Sequence, residues 1–156
     1  MKRIVSIVSI LVALAAFSAA AGAQDKPNLV GTWKLSDPAQ PDMYTPTQLV
    51  VAQDATVMTF TVTGQMGEFK TAYKLDGTVG SSPLDFQGTT IDRSTKATWS
   101  ENKVTLTSTS DMNGQTFEVK SIVTAGPEGT MIVETTFPDF QGGGAPITIK
   151  ATYKKS

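Results

Sequence analysis

The sequence predicts an all-β domain: an antiparallel up-and-down meander closed into a barrel of about eight to nine strands. Three observations point there. Apolar and polar residues alternate with period two through the chain after Phe17, where helical spacing is hard to find. Threonine is abundant, as suits half-solvated strands. The alternating segments are joined mostly by tight turns, with no room for a crossover helix, so neighbours in sequence pair in the sheet. Each strand then has a single apolar face, and the sheet must curl to bury it. A barrel of this size has an interior just wide enough for side chains or one small ligand. A two-sheet sandwich is the alternative.

The N-terminal segment is not part of that pattern. Lys2 and Arg3 precede an almost wholly apolar run, Ile4 to Phe17, and Ala21-Gly22-Ala23 offers the small residues of a signal-peptidase site. The run is shorter than the roughly 20 residues of a spanning helix. We therefore expect residues 1–23 to be a signal helix cleaved on export, and 24–156 to be one barrel domain, periplasmic or extracellular. With no cysteine at the cleavage site, a lipid anchor of the lipoprotein kind is excluded, and no stable membrane anchor is expected.

The first strand is expected at about 29–36. Gly31 and Trp33 share a face there, with the indole closing the barrel floor beside the space the glycine leaves. Ser36 to Pro46, with Pro38, Pro41 and Pro46, reads as a long connector or a flap over an open end. Strands at about 47–53 and 56–63 put Leu49 and Val51, then Met58, Phe60 and Val62, on one face. The strand at about 68–75 turns Phe69, Thr71, Tyr73 and Leu75 inward, and Asp76-Gly77 ends it. Thr78 to Thr90 is the least regular part. A strand at about 90–100 contains Trp99 and turns at Glu101-Asn102 into one at about 103–110, with Val104 and Leu106 inward. After a hairpin at Asp111–Gly114, strands at about 115–124 and 130–137 direct Phe117, Val119, Ser121 and Val123, then Met131, Val133, Thr135 and Phe137, inward. Pro138 to Pro146 is a long loop. The last strand, about 147–154, faces Ile147, Ile149, Ala151 and Tyr153 inward.

The opening Gly31-Thr32-Trp33, placed just after a signal peptide, resembles the Gly-x-Trp signature of lipocalins. The run Lys96 to Leu106 is similar to the central hairpin of uncharacterised bacterial secreted proteins with a lipocalin-like (calycin-type) barrel. The resemblance implies that fold and ligand binding, and no chemistry. The chain departs from lipocalins in having no disulfide. It also has no match for their late arginine that stacks on the tryptophan; Lys154 and Lys155 lie near the corresponding end.

Composition narrows the function further. The chain has no histidine and no cysteine, so the usual nucleophile triads are excluded and a zinc site would need carboxylates alone. We expect no enzyme, no catalytic residue, no metal and no cofactor. The chain is weakly acidic, and Arg93 is the only arginine outside the leader, which argues against nucleic acid and anionic membrane surfaces. Asp111-Met112-Asn113-Gly114 lacks the remaining ligands of a calcium loop and reads as a hairpin. Gly142-Gly143-Gly144 precedes a strand rather than a helix, so it is no phosphate loop.

The candidate ligand-binding residues are Met58, Phe60, Phe69, Thr71, Tyr73, Phe117, Ser121, Met131 and Thr135; Ser108 is a further inward hydroxyl. An adaptable apolar wall with a few hydroxyls suits a small, largely apolar molecule. In the opposing reading, these hydroxyls bond neighbouring backbone in a filled core, and the protein is a structural or interaction module whose protein partner the sequence does not identify. Gly31, Trp33 and Trp99 are expected to be structural.

Overall fold

The computed structural model of the chain describes residues 26–36, 42–139 and 144–156. The expected signal segment, residues 37–41 of the Ser36–Pro46 connector and residues 140–143 of the Pro138–Pro146 loop lie outside them. The described residues form twelve strands, which we label in order: β1 (Gly31–Leu35), β2 (Gln48–Gln53), β3 (Val57–Gly64), β4 (Gly67–Lys74), β5 (Gly80–Ser81), β6 (Leu84–Phe86), β7 (Thr89–Ile91), β8 (Arg93–Ser100), β9 (Lys103–Met112), β10 (Gln115–Ala125), β11 (Thr130–Phe137) and β12 (Ile147–Lys155). Ten of them make one antiparallel sheet in the order β4-β3-β2-β1-β12-β11-β10-β9-β8-β5, and β6 and β7 form a separate hairpin.

The meander is as expected, but the strand count is higher. The irregular stretch supplies the difference, contributing three short strands. The expected strand at 90–100 is also divided: its first residues belong to β7, and β8 starts at Arg93. The β6–β7 hairpin turns on Gln87 and Gly88, both with positive φ (50° and 81°). Asn113 and Gly114 do the same between β9 and β10 (53° and 78°). Two successive positive φ values match the twist of a two-residue hairpin, and asparagine before glycine is the usual way to supply them. Glutamine at the first position is why the β6–β7 turn is hard to see in the sequence.

Alternation places the core. Leu49, Val51, Met58, Phe60, Tyr73, Val104, Leu106, Val123, Met131 and Tyr153 are all buried, and cross-strand register brings them together: Val51 faces Phe60, Met58 faces Tyr73, and Met131 faces Tyr153. One inward expectation fails. Ile147 is 48% exposed, because it opens β12 at the barrel mouth, where the sheet has no interior for it to enter.

The other end of the barrel is closed. Trp33 is buried there and its indole N–H donates to the Leu29 carbonyl at 2.9 Å. Lys155 pairs with Trp33 across β1 and β12, and its ammonium lies 5.5 Å from the centre of the indole, within cation–π range. This explains Gly31. A Cβ there would fall 2.6 Å from Lys155 Cε, and the residue has φ +141°. The glycine makes room for the lysine stem as well as for the chain. Trp99 is served similarly, with the Lys26 ammonium 5.4 Å from its ring and donating to the Leu75 carbonyl.

The seam of the barrel does not fall between the first and last strands. β1 pairs with both β2 and β12, so the edges of the ten-stranded sheet are β4 and the two-residue β5. Side chains bridge them. The Ala72 N–H donates to Ser82 Oγ at 3.1 Å, and Thr95 Oγ1 donates to the Ala72 carbonyl at 2.7 Å. Arg93 donates from Nη2 to the Lys70 carbonyl at 3.2 Å and from Nε to the Ser82 carbonyl at 3.0 Å. Polar groups on the β4 edge that a neighbouring strand would satisfy are thus met by side chains.

Candidate functional site

Near the mouth the interior is not filled. A cavity of about 540 Å³ lies between the closed end and the loops above it. Every strand on its wall contributes alternate residues, as the pleat requires. Apolar side chains dominate: Leu49, Phe60, Val62, Phe69, Leu106 and Val133 are among them. The size is that of a pocket for a small organic molecule.

The expected site residues divide. Phe60, Phe69, Thr71, Tyr73, Ser121 and Thr135 line the cavity, as does Ser108. Met58 and Met131 do not. Both are fully buried and belong to the packed closed end, with Trp33, Val51, Ala97 and Val104. They have the right parity but sit too far from the mouth. Phe117 also has the inward parity, yet it is only partly buried and lies outside the cavity wall. It is near the β9–β10 hairpin, where the sheet runs beyond the enclosed volume. Gly31, Trp33 and Trp99 likewise stay off the wall.

The mouth is shaped by elements the alternation pattern did not single out. Leu84, Phe86 and Ile91 of the β6–β7 hairpin reach the cavity, and Phe86 lies against Phe69 with ring centres 6.1 Å apart. Opposite, Met43, Tyr44, Thr45 and Pro46 enter from the β1–β2 connector. Residues 42–46 are held in place: Asp42 Oδ1 accepts from the Tyr44 N–H and from Thr45 Oγ1, and the Tyr153 hydroxyl donates to the Pro46 carbonyl at 2.9 Å. Tyr44 meets Phe137 across the opening at 5.3 Å. Met43, Met66 and Phe86 are partly exposed, giving the mouth an apolar lip.

The polar groups of the wall are few. Ser121 and Thr135, facing each other across β10 and β11, share a hydrogen bond of 3.0 Å. This is the side-chain pairing expected of hydroxyls in a closed core. Thr71 Oγ1 accepts from Arg93 Nη2 at 2.9 Å. Burial pushes the Tyr73 phenol up to about 12, with the Arg93 charge opposing the shift. Burial in turn lowers Arg93 from its ordinary value. Arg93 is the residue sequence reasoning missed. A signal was present: counting back by two from Trp99 and Ala97, on the apolar face of β8, reaches Thr95 and then Arg93.

Among the described residues, no group of three or more carboxylates gathers to hold a metal ion, and no helix is long and apolar enough to cross a membrane. No protein-family model and no curated protein matches the chain.

Proposed function

We propose that this is an exported, lipocalin-like binding protein that takes a small, largely apolar molecule into the barrel interior. The observation that carries the reading is the unfilled half of the barrel. Packed interiors leave few voids larger than a water molecule, yet here a cavity of about 540 Å³ sits under an apolar lip. Hydrophobic burial supplies the affinity, at about 25 cal/mol per Å² of ligand surface removed from water. The hydroxyls set orientation. The leader at residues 1–23 supports export, and the Gly31-Thr32-Trp33 opening on a closed meander supports the lipocalin-like assignment.

The test is a fluorescence titration of the mature protein with the neutral probe N-phenyl-1-naphthylamine. Saturable enhancement at about one site per chain is expected. Val133→Trp, which fills the cavity from β11, should abolish it while circular dichroism still reports a folded sheet. A folded wild-type protein that leaves the probe dark overturns the reading and favours a structural or interaction module.

A further inference from the structure

We propose that the ligand is an anionic amphiphile, with an apolar tail in the cavity and an oxyanion headgroup seated against Arg93, Thr71 and Tyr73. The proposal rests on the binding reading above and narrows it to a chemical class.

Charge is the first observation. Among the described residues lining the cavity, Arg93 is the only one that carries a formal charge; the wall contains no aspartate, glutamate or lysine. Arg93 is half-buried, and no carboxylate among the described residues forms a salt bridge or hydrogen bond with it. A cation withdrawn from water without a counter-ion is costly. Carbonyl and hydroxyl oxygens offset part of that cost. They leave the charge itself uncompensated, and an incoming anion would neutralise it.

Donor capacity is the second. A guanidinium has five N–H groups. Three are accounted for: Nε to the Ser82 carbonyl, and Nη2 to the Lys70 carbonyl and Thr71 Oγ1. The two on Nη1 have no hydrogen-bond partner among the described residues. The three bonds also fix the fork against the seam, so its orientation is set before any ligand arrives. Preorganised donors of this kind lose little conformational freedom on binding.

The neighbours are the third. Thr71 and Tyr73 are two apart on β4 and share the inner face with Arg93, to which Thr71 is bonded. The Thr71 hydroxyl accepts from Arg93, which leaves its own hydrogen to donate. The Tyr73 hydroxyl has no hydrogen-bond partner among the described residues, and the Arg93 charge opposes part of the upward shift that burial gives its phenol. Two hydroxyl donors beside a cation, facing apolar walls built from Phe60, Phe69 and Leu84, suit an oxyanion on a hydrocarbon tail. A neutral hydrocarbon would leave all three polar groups unanswered. If Arg93 served only to bridge β4 and β8, the wall would make no distinction between charged and neutral ligands of one shape.

That distinction is the experiment. Laurate and methyl laurate are compared as competitors of N-phenyl-1-naphthylamine on the wild-type mature protein at neutral pH and low salt. Laurate is expected to displace the probe at a concentration at least about tenfold lower, the effect of a charge-assisted hydrogen bond. Arg93→Met should erase the difference. Because Arg93 also holds the seam, Tyr73→Phe serves as a second variant and should narrow the difference without touching those three bonds. Dodecyl sulfate in place of laurate tells a carboxylate preference from a general oxyanion one, and either result fits the proposal. Equal competition by laurate and methyl laurate overturns the anion site and leaves the apolar pocket standing. A folded protein that binds neither the probe nor either competitor removes both.

Discussion

At the scale of single residues, the two tryptophans make the sharpest contrast. Both stand at the closed end under a lysine ammonium. The Trp33 indole N–H is bonded to the Leu29 carbonyl, whereas Trp99 Nε1 is buried with no partner among the described residues. Removing one half of a buried hydrogen bond strands the other half and costs about 1–3 kcal/mol, while removing an unpaired buried donor relieves a cost of that order. Trp33→Phe should therefore destabilise by roughly 2–4 kcal/mol, combining a small cavity with an orphaned carbonyl. Trp99→Phe loses similar volume but sheds an unsatisfied group, so its cost should be at least about 1 kcal/mol smaller. Urea unfolding of the two variants checks the order, and equal losses would mean that Trp99 Nε1 is bonded in solution. The pair also shows what a sequence conceals. Gly31 and Trp33 announce a floor and Lys154 and Lys155 stand near the matching end of the chain, but the order of residues does not choose Lys155 over Lys154, nor does it say that one indole will find an acceptor and the other will not.

At the scale of elements, alternation was a sound guide wherever a strand had one wet face. The strands β2, β3, β4, β9, β10 and β11 lie close to where their periodicity put them, and their inward residues share one interior. Parity says which face, however, and not how far along the barrel. Met58 and Met131 therefore fell into the packed end and Phe117 outside the cavity wall, although all three alternate correctly. The β6–β7 hairpin went unseen because its strands have three residues each and its turn places a glutamine at positive φ. The seam was hidden for a different reason. It depends on Ser82, Thr95 and Arg93 acting in place of a strand, and side chains that substitute for backbone leave no periodic trace. Thr95 is the member best suited to a test, being 1% exposed and bonded to the Ala72 carbonyl. Thr95→Val keeps the shape and deletes the donor. It should cost about 1–3 kcal/mol. It should also speed hydrogen exchange in β4 more than in residues 120–124 of β10, which are paired on both sides. Uniform protection across both strands would show that the seam is held by something other than these hydroxyls.

At the scale of the whole molecule, two buried phenols tie the barrel's stability to alkaline pH. Tyr73 stands in the cavity wall, where the aromatic ring of Phe60 meets it edge-on at 6.1 Å. Tyr153 fastens β12 to the β1–β2 connector through the Pro46 carbonyl. Burial raises both, Tyr73 to about 12 and Tyr153 also upward. An unfolded tyrosine ionises near about pH 10. Below that pH both states keep the phenol proton, and the contribution of these groups to stability is fully present. As pH rises from about 10 towards 12, the unfolded chain sheds its protons first. The folded state then binds more protons than the unfolded one, so the free energy of unfolding falls with each further step in pH. For a group shifted from about 10 to about 12 the loss approaches 2–3 kcal/mol, at roughly 1.4 kcal/mol per unit. The urea midpoint should therefore decline steeply above about pH 10. Tyr73→Phe should remove part of that slope. Phenolate absorbance provides the direct check: Tyr73 and Tyr153 should ionise together with the loss of sheet structure rather than ahead of it. Phenolate absorbance from these two residues complete near pH 10 with the circular dichroism unchanged would mean that both hydroxyls reach solvent, and that the mouth of the barrel stands open wider than its lining residues indicate.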